Sequence, residues 1–226
     1  LFVFVPSIVL AVLALVLAGP IVGLIVLVIV GGGLAAWARL AGDRRVLAAI
    51  GGRDADPKRE ARLCNLVEGL TIGAGVKPPR LVVIDSPGLN AIAAGTSQAR
   101  AVMGVTTGLL SELDRMELEA VVAEELVQIR RGETFPLTVL VATFGIGARQ
   151  AVPADRDAAA DQGAVGLTRY PPALASALEK IESKGAVVAG QASYMAHLWL
   201  ADPRSGSPQA RGRLGLKDRI EALRQL

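Results

Sequence analysis

Apolar and polar positions divide the chain into one long uncharged run and a series of short helical or alternating segments. Residues 1–37 are almost wholly apolar and carry no charge. About 20 such residues span a bilayer once, and about twice that number span it twice. Gly19-Pro20 splits the run near its middle, and proline disfavours the helical state of the residue before it. The pattern predicts a helical hairpin of residues 2–18 and 21–37, with a single kinked and tilted helix as the alternative. A cleaved signal peptide fits less well, because the run is long and has no charged start.

Beyond the run the periodicity changes. Asp54-Ala55-Asp56-Pro57 opens a predicted helix through Gly73, with Leu63, Leu66, Val67 and Leu70 as its apolar face. Arg80-Leu81-Val82-Val83-Ile84-Asp85 follows a Pro-Pro pair and reads as a short strand. Residues 90–94 and 100–106 are further strand candidates, hinged on Gly95-Thr96-Ser97. A helix starts at Thr107, and Asp114 with Glu117 has the spacing of a capping box for a longer helix over residues 115–133. Residues 135–148 are apolar but too few to span comfortably, which predicts a buried or interfacial helix. Helices are predicted over 155–167, 171–185 and 216–226, with a loop rich in Pro, Gly and Ser over 201–212. The expected fold is α+β and mainly helical, with a small β-sheet, plus an N-terminal transmembrane helical hairpin. The division is a hairpin at 1–38 and a domain at 39–226.

Composition sharpens this picture. Hydrophobic residues make up 52% of the 226 and charged ones 20%, and mean hydropathy is +0.46, which favours a domain with a membrane anchor. Arg39, Arg44, Arg45, Arg53, Lys58 and Arg59 follow the apolar run, and positive charge beside a span marks the cytoplasmic side. The net charge of +3 is not gathered into a stripe with aromatic residues, so nucleic acid is not an expected partner; the lipid bilayer is. A single cysteine, Cys64, excludes an internal disulfide framework. A single histidine, His197, excludes a mononuclear site that needs two or three imidazoles from one chain, and it reads as a structural residue in an apolar segment. A Ser-His-Asp triad could form only through that one histidine.

The helix over 118–133 carries the candidate chemistry. In H-E-x-x-H two histidines one turn apart hold zinc, and the glutamate after the first acts as general base. Here the frame reads Glu124-Glu125-x-x-Gln128. The general-base position keeps its glutamate, Glu125, and both histidine positions are changed.

Several spaced motifs together resemble the HtpX-type membrane zinc metalloproteases, relatives of the CAAX prenyl proteases. They are the strand and turn from Leu81 to Asn90-Ala91, Val105-Thr106-Thr107-Gly108-Leu109-Leu110, the approach from Leu113-Asp114 into the metal helix, Arg156-Asp157-Ala158-Ala159-Ala160-Asp161, and Asp218-Arg219-Ile220-Glu221-Ala222-Leu223. The resemblance covers roughly residues 50–226 and implies a gluzincin-like domain. It places the family's two zinc histidines at Glu124 and Gln128 and its glutamate ligand at Asp157. None of the three keeps its residue type. Glu125 and Asp161 keep theirs, as a vestigial catalytic position and its supporting carboxylate. The family's histidine before the terminal helix falls near Arg213-Leu214 and is also missing. Residues 39–226 are thus expected to be a degenerate metalloprotease-like cytoplasmic domain, a pseudoenzyme with no cofactor. Its expected role is as a binding, accessory or assembly subunit of a complex at a prokaryotic inner or plasma membrane, with a membrane protein partner. Two other readings stay open: an active membrane metallopeptidase with a non-standard metal site, and a module that binds a hard cation through oxygen ligands, which suit calcium or magnesium.

Overall fold

Gly19 has a φ of 88°, a left-handed value open to glycine, and Pro20 follows it as the first residue of helix α1, Pro20–Ile50. A computed structural model of the chain describes residues 19–136, 155–191, 193–204 and 214–226, with positions 9, 12, 13 and 138 besides. The first half of the expected hairpin, most of the apolar stretch 135–148, and Arg213 lie outside the described residues. The second half does not stop at residue 37. No proline stands between there and Gly51, and α1 runs for 31 residues and delivers Ile50 into the domain interior. Gly51 and Gly52, both at positive φ, end it. Counting only described residues, no helix is long and apolar enough to cross a membrane. The described aliphatic side chains near the start of α1 (Ile21, Leu24, Ile25, Val28 and Ile29) are nevertheless exposed.

The segment after Gly52 departs from the expected helix start at Asp54. Arg53–Asp54 forms a two-residue strand, β1, antiparallel to β2, Arg80–Ile84. Asp54 is held by Arg80 at 2.7 Å, and Arg53 by Glu60 at 2.5 Å, so both residues are committed to tertiary partners before a helix can begin. The helix, α2, spans Ala61–Ala74 and buries Leu63, Leu66 and Val67 as the periodicity predicts.

β3, Ala91–Ala94, and β4, Val102–Thr106, complete a sheet of order β1-β2-β4-β3. β2 and β4 are parallel, and β3 returns antiparallel on β4 as the edge strand. Alternation along β3 sends Ala91 and Ala93 to the main core and Ile92 and Ala94 to a second core. That second core includes Ile50, Leu198 and Trp199 and covers the other face of the sheet. The outer edge of β3 is met by the chain itself: the Leu200 N–H donates to the Ala91 carbonyl at 2.8 Å, and Ile92 bridges Trp199. Asn90 locks this junction. Its amide donates to the carbonyls of Ala186 and Ala201, both at 2.9 Å, and its oxygen accepts from Ala91 and Ala201 N–H.

Among the described residues the sheet is followed by α3, Thr107–Glu112; α4, Arg115–Arg131; α5, Arg156–Thr168; and α6, Pro171–Lys184. A 3₁₀ turn at Ser193–Leu198 and the terminal helix α7, Leu216–Arg224, close the domain. The result is the α+β, mainly helical domain with a small mixed sheet that the sequence pattern predicts.

Candidate functional site

Helix α4 is the hub, packed against α2, α5, α6 and β3. From Leu118 to Ile129 every residue but Glu119 is buried, so its polar residues face protein and not water. The Asp114 carboxylate accepts from the Glu117 N–H at 2.9 Å, and the Glu117 carboxylate accepts from the Asp114 N–H at 2.8 Å. This is the capping box that the spacing predicts. Glu117 also accepts from Lys180 at 2.6 Å and Ser176 at 2.7 Å, which pins α4 to α6. At the far end Gly132, in left-handed geometry, stops the helix.

Helix α5 comes unusually close to α4. A Cβ built at Gly163 would lie 2.6 Å from Val127 Cγ1, so a side chain there would push the helices apart. The close approach brings the buried face of α5 (Arg156, Asp157, Ala160, Asp161 and Ala164) onto α4. Helix α7 adds Arg219 from below, flanked by buried Ile220 and Leu223.

The five residues that the resemblance places at the site are therefore interior. Glu124, Glu125 and Gln128 are fully buried, Asp157 is 1% exposed and Asp161 5%. Arg219 binds Asp161 through two hydrogen bonds, at 2.8 and 2.6 Å, and reaches Glu124 Oε1 at 3.3 Å. Gln128 donates its amide to the same Glu124 oxygen at 2.8 Å. Arg156 donates one Nη to Gln128 Oε1 and the other to the His197 carbonyl. Glu124 Oε2 has no hydrogen-bond partner among the described residues. His197 is itself buried, in the apolar setting the sequence implied.

Electrostatics follow from this burial. Loss of water raises the Glu124 pKa from its ordinary 4.5 to about 7; the Arg219 charge opposes the rise, the charges of Asp161 and Asp157 add to it, and the Gln128 hydrogen bond resists it. For Arg219 burial disfavours the charge, but the Asp161, Glu124 and Asp157 carboxylates outweigh it and the pKa is raised.

The donor set does not fit zinc. Zinc takes imidazole nitrogen, thiolate or carboxylate, and an amide oxygen is a poor substitute. Here Gln128 has both heteroatoms engaged, and Glu124 Oε1 accepts from two donors. Among the described residues no group of three or more His, Cys, Asp or Glu side chains is placed to hold a metal ion. A cavity of about 520 Å³, lined in part by Tyr170, Pro171, Ala175, Leu223 and Leu226, lies between α6 and α7 and shares no residue with this cluster.

Arg156 and Arg219 are the residues that sequence reasoning quoted within motifs but gave no role. A signal was available: carboxylates on buried helix faces need cations near them, and these arginines lie in the same motifs as Asp157 and Asp161.

A mixed sheet packed on a buried helix with an altered H-E-x-x-H frame defines a metallopeptidase-type domain. Comparison with known proteins agrees: the chain belongs to peptidase family M48, whose model matches residues 57–181. It is similar to the protease HtpX homolog of Dictyoglomus thermophilum, 31% identical over 228 residues that cover 81% of this chain and 75% of that protein. The protease HtpX homolog of Acidiphilium cryptum is 33% identical over 208 residues, 73% of this chain and 72% of that protein. That of Tropheryma whipplei strain Twist is 31% identical over 195 residues, with 68% and 67% covered.

Proposed function

We propose that this chain is a catalytically inactive member of the HtpX-type family, anchored in a membrane and serving as a binding, accessory or assembly subunit of a membrane protein complex. One observation carries the reading: Glu124 and Gln128, at the positions that the family resemblance gives to zinc histidines, are bonded to Arg219 and Arg156 inside the protein. A protease of this type needs an open coordination position for water and substrate. Here both heteroatoms of Gln128 and one oxygen of Glu124 are engaged in internal bonds, and the surrounding carboxylates are buried. A fold that loses its chemistry keeps its surfaces, and surfaces bind.

The exposed aliphatics of α1 support a lipid-facing anchor, with residues 1–37 as the hairpin. The arginines that follow support a cytoplasmic domain at a prokaryotic cell membrane. The bilayer is thus one partner and a membrane protein the other, with no role for nucleic acid.

A second reading is an active membrane metallopeptidase with a non-standard metal site. It is favoured by the similar proteins being named proteases and by Glu125 standing at the general-base position. Elemental analysis of the purified chain beside a casein cleavage assay separates the two. The inactive reading expects no stoichiometric zinc and no cleavage. One zinc per chain, with cleavage stopped by a chelator and abolished in Glu125→Gln, would end it.

A further inference from the structure

Helix α1 continues past the uncharged run without a loop, and its last turn belongs to the domain. Ile50 is fully buried in the second core with Ile84, Ile92, Leu198 and Trp199, and Leu47 and Ala49 pack against the same core. Gly104 of β4 lets these side chains close over the sheet. A Cβ there would lie 2.7 Å from Ile92 Cγ2, 3.1 Å from Ile84 Cδ1 and 3.5 Å from Ile50 Cγ2. Two hydrogen bonds fasten the turn. The Gln191 side-chain amide donates to the Ile50 carbonyl at 3.0 Å, and the Gly51 N–H donates to the Leu47 carbonyl at 3.1 Å. A helix leaves the acceptors of its last turn unpaired, and here a residue 141 positions away completes one of them.

We propose that α1 is a strut and not a tether: one helix passes from the bilayer into the core on the other face of the sheet, and fixes the height and orientation of the domain over the membrane. This rests on the membrane-anchored reading above and says how the anchor meets the domain. The 31 residues of α1 measure roughly 46 Å. Pro20 to Trp37 carries no charge and covers roughly 27 Å, close to the hydrocarbon core of a bilayer, about 30 Å thick. The remaining stretch to Ile50 adds roughly 20 Å. Swinging the domain about residue 50 would pull Leu47, Ala49 and Ile50 out of apolar contacts and into water. Bending α1 below that point would break main-chain hydrogen bonds. No proline lies between residues 38 and 50, and the single glycine there, Gly42, weakens a helix without ending it. A membrane protein partner would meet the domain already placed, so association would not have to freeze a swivelling joint.

Spin labels at Ile29→Cys and Lys58→Cys, in a Cys64→Ser background of the full chain in phosphatidylcholine nanodiscs, read the joint by pulsed dipolar spectroscopy. Both sites are exposed. A reference pair inside the domain, Lys58→Cys with Arg115→Cys, sets the width of a rigid link. The strut expects the first pair to be as narrow as the reference. Seven alanines inserted after Leu40, two helical turns, should lengthen the mean distance by roughly 10 Å and keep it narrow. An insert of equal length made of glycine and serine should widen it about twofold or more. Thermal unfolding gives a second readout: Ile50→Ala should lower the melting temperature by roughly 4–20 °C, and Ile29→Ala by less than about 2 °C. A wild-type distribution about twice as wide as the reference overturns the proposal. So does a mean that ignores the alanines, or Ile50→Ala melting with the wild type. If the insert variants do not fold, the wild-type width and the Ile50→Ala shift decide. Release of the chain from vesicles by alkaline carbonate would sink the anchored reading and the strut with it; a broad distribution in a chain that stays inserted sinks the strut alone.

Discussion

Arg219 on α7 grips Asp161 on α5 through two parallel hydrogen bonds, Nε to Oδ2 at 2.8 Å and Nη2 to Oδ1 at 2.6 Å, with both side chains buried. Bidentate pairing fixes the angle between the two helices as well as their distance. Removing one partner leaves a buried, uncompensated charge. Arg219→Met is expected to destabilise the domain by about 3–5 kcal/mol, read by chemical denaturation. Arg219→Lys should recover only part of the loss, because an ammonium cannot make the fork. A loss under about 1 kcal/mol would mean the pair contributes as little as a surface ion pair.

Glu124 gives the stability a distinctive pH dependence. Its folded pKa, near 7, lies above its ordinary 4.5 because burial disfavours the charge. Between those values the unfolded chain gives up the proton and the folded one keeps it, so the folded state holds more protons. Stability from this group is complete below about pH 4.5, falls as pH rises, and is lost once pH passes about 7. Glu124→Gln carries no titrating proton. Melting temperatures from pH 5 to 8 should fall more steeply in the wild type than in Glu124→Gln. Parallel curves would place the ionisation elsewhere.

Features set by local chemistry were legible in the sequence, and features set by distant partners were not. The apolar face of α2, the strand at Arg80–Ile84 and the Asp114–Glu117 capping box each depend on neighbours within a few residues, and each stands where the pattern puts it. β1 was missed because two residues carry no periodicity; it forms by pairing with β2, whose Arg80 lies 26 positions from Asp54. Gln128 bonds Glu124, and Arg219 links Glu124 to Asp161, inside the protein. That link was hidden, since Arg219 lies 95 residues from Glu124 and 58 from Asp161 along the chain.

The start of α4 separates a cap from a tertiary anchor. Asp114 caps the helix end through its bond with the Glu117 N–H, so Asp114→Ala is expected to cost about 0.5–2 kcal/mol. Glu117 caps the same end and also binds Lys180 and Ser176 on α6. Glu117→Ala should cost more, about 1.5–3 kcal/mol, because it also removes hydrogen bonds involving charged groups. Burial alone would raise the Glu117 pKa, but Lys180, Ser176 and the Asp114 N–H outweigh it and lower it. Its contribution is thus present above the usual glutamate range and is lost as pH falls through the lowered value, the reverse of Glu124. A pH scan of Glu117→Gln against wild type should converge at the acid end. Equal costs for Asp114→Ala and Glu117→Ala would remove the anchor to α6 from the account.

The N-terminal run offers the last test, because its two readings put Ile21 in different places. In a hairpin turning at Gly19-Pro20, Ile21 lies at the outer face of the membrane; in one kinked span it lies near the bilayer centre. Ile21 is 74% exposed on α1, so protein does not shield it. Lys58 is exposed too, and it follows the arginines that mark the cytoplasmic side. Single cysteines at these positions, in a Cys64→Ser background, can be probed with a membrane-impermeant maleimide on spheroplasts. The hairpin with a cytoplasmic domain expects Ile21→Cys to label on intact cells and Lys58→Cys only after lysis. Labelling of Lys58→Cys on intact cells would reverse the orientation. No labelling of Ile21→Cys before or after lysis, with Lys58→Cys still reacting only after lysis, would replace the hairpin by a single span.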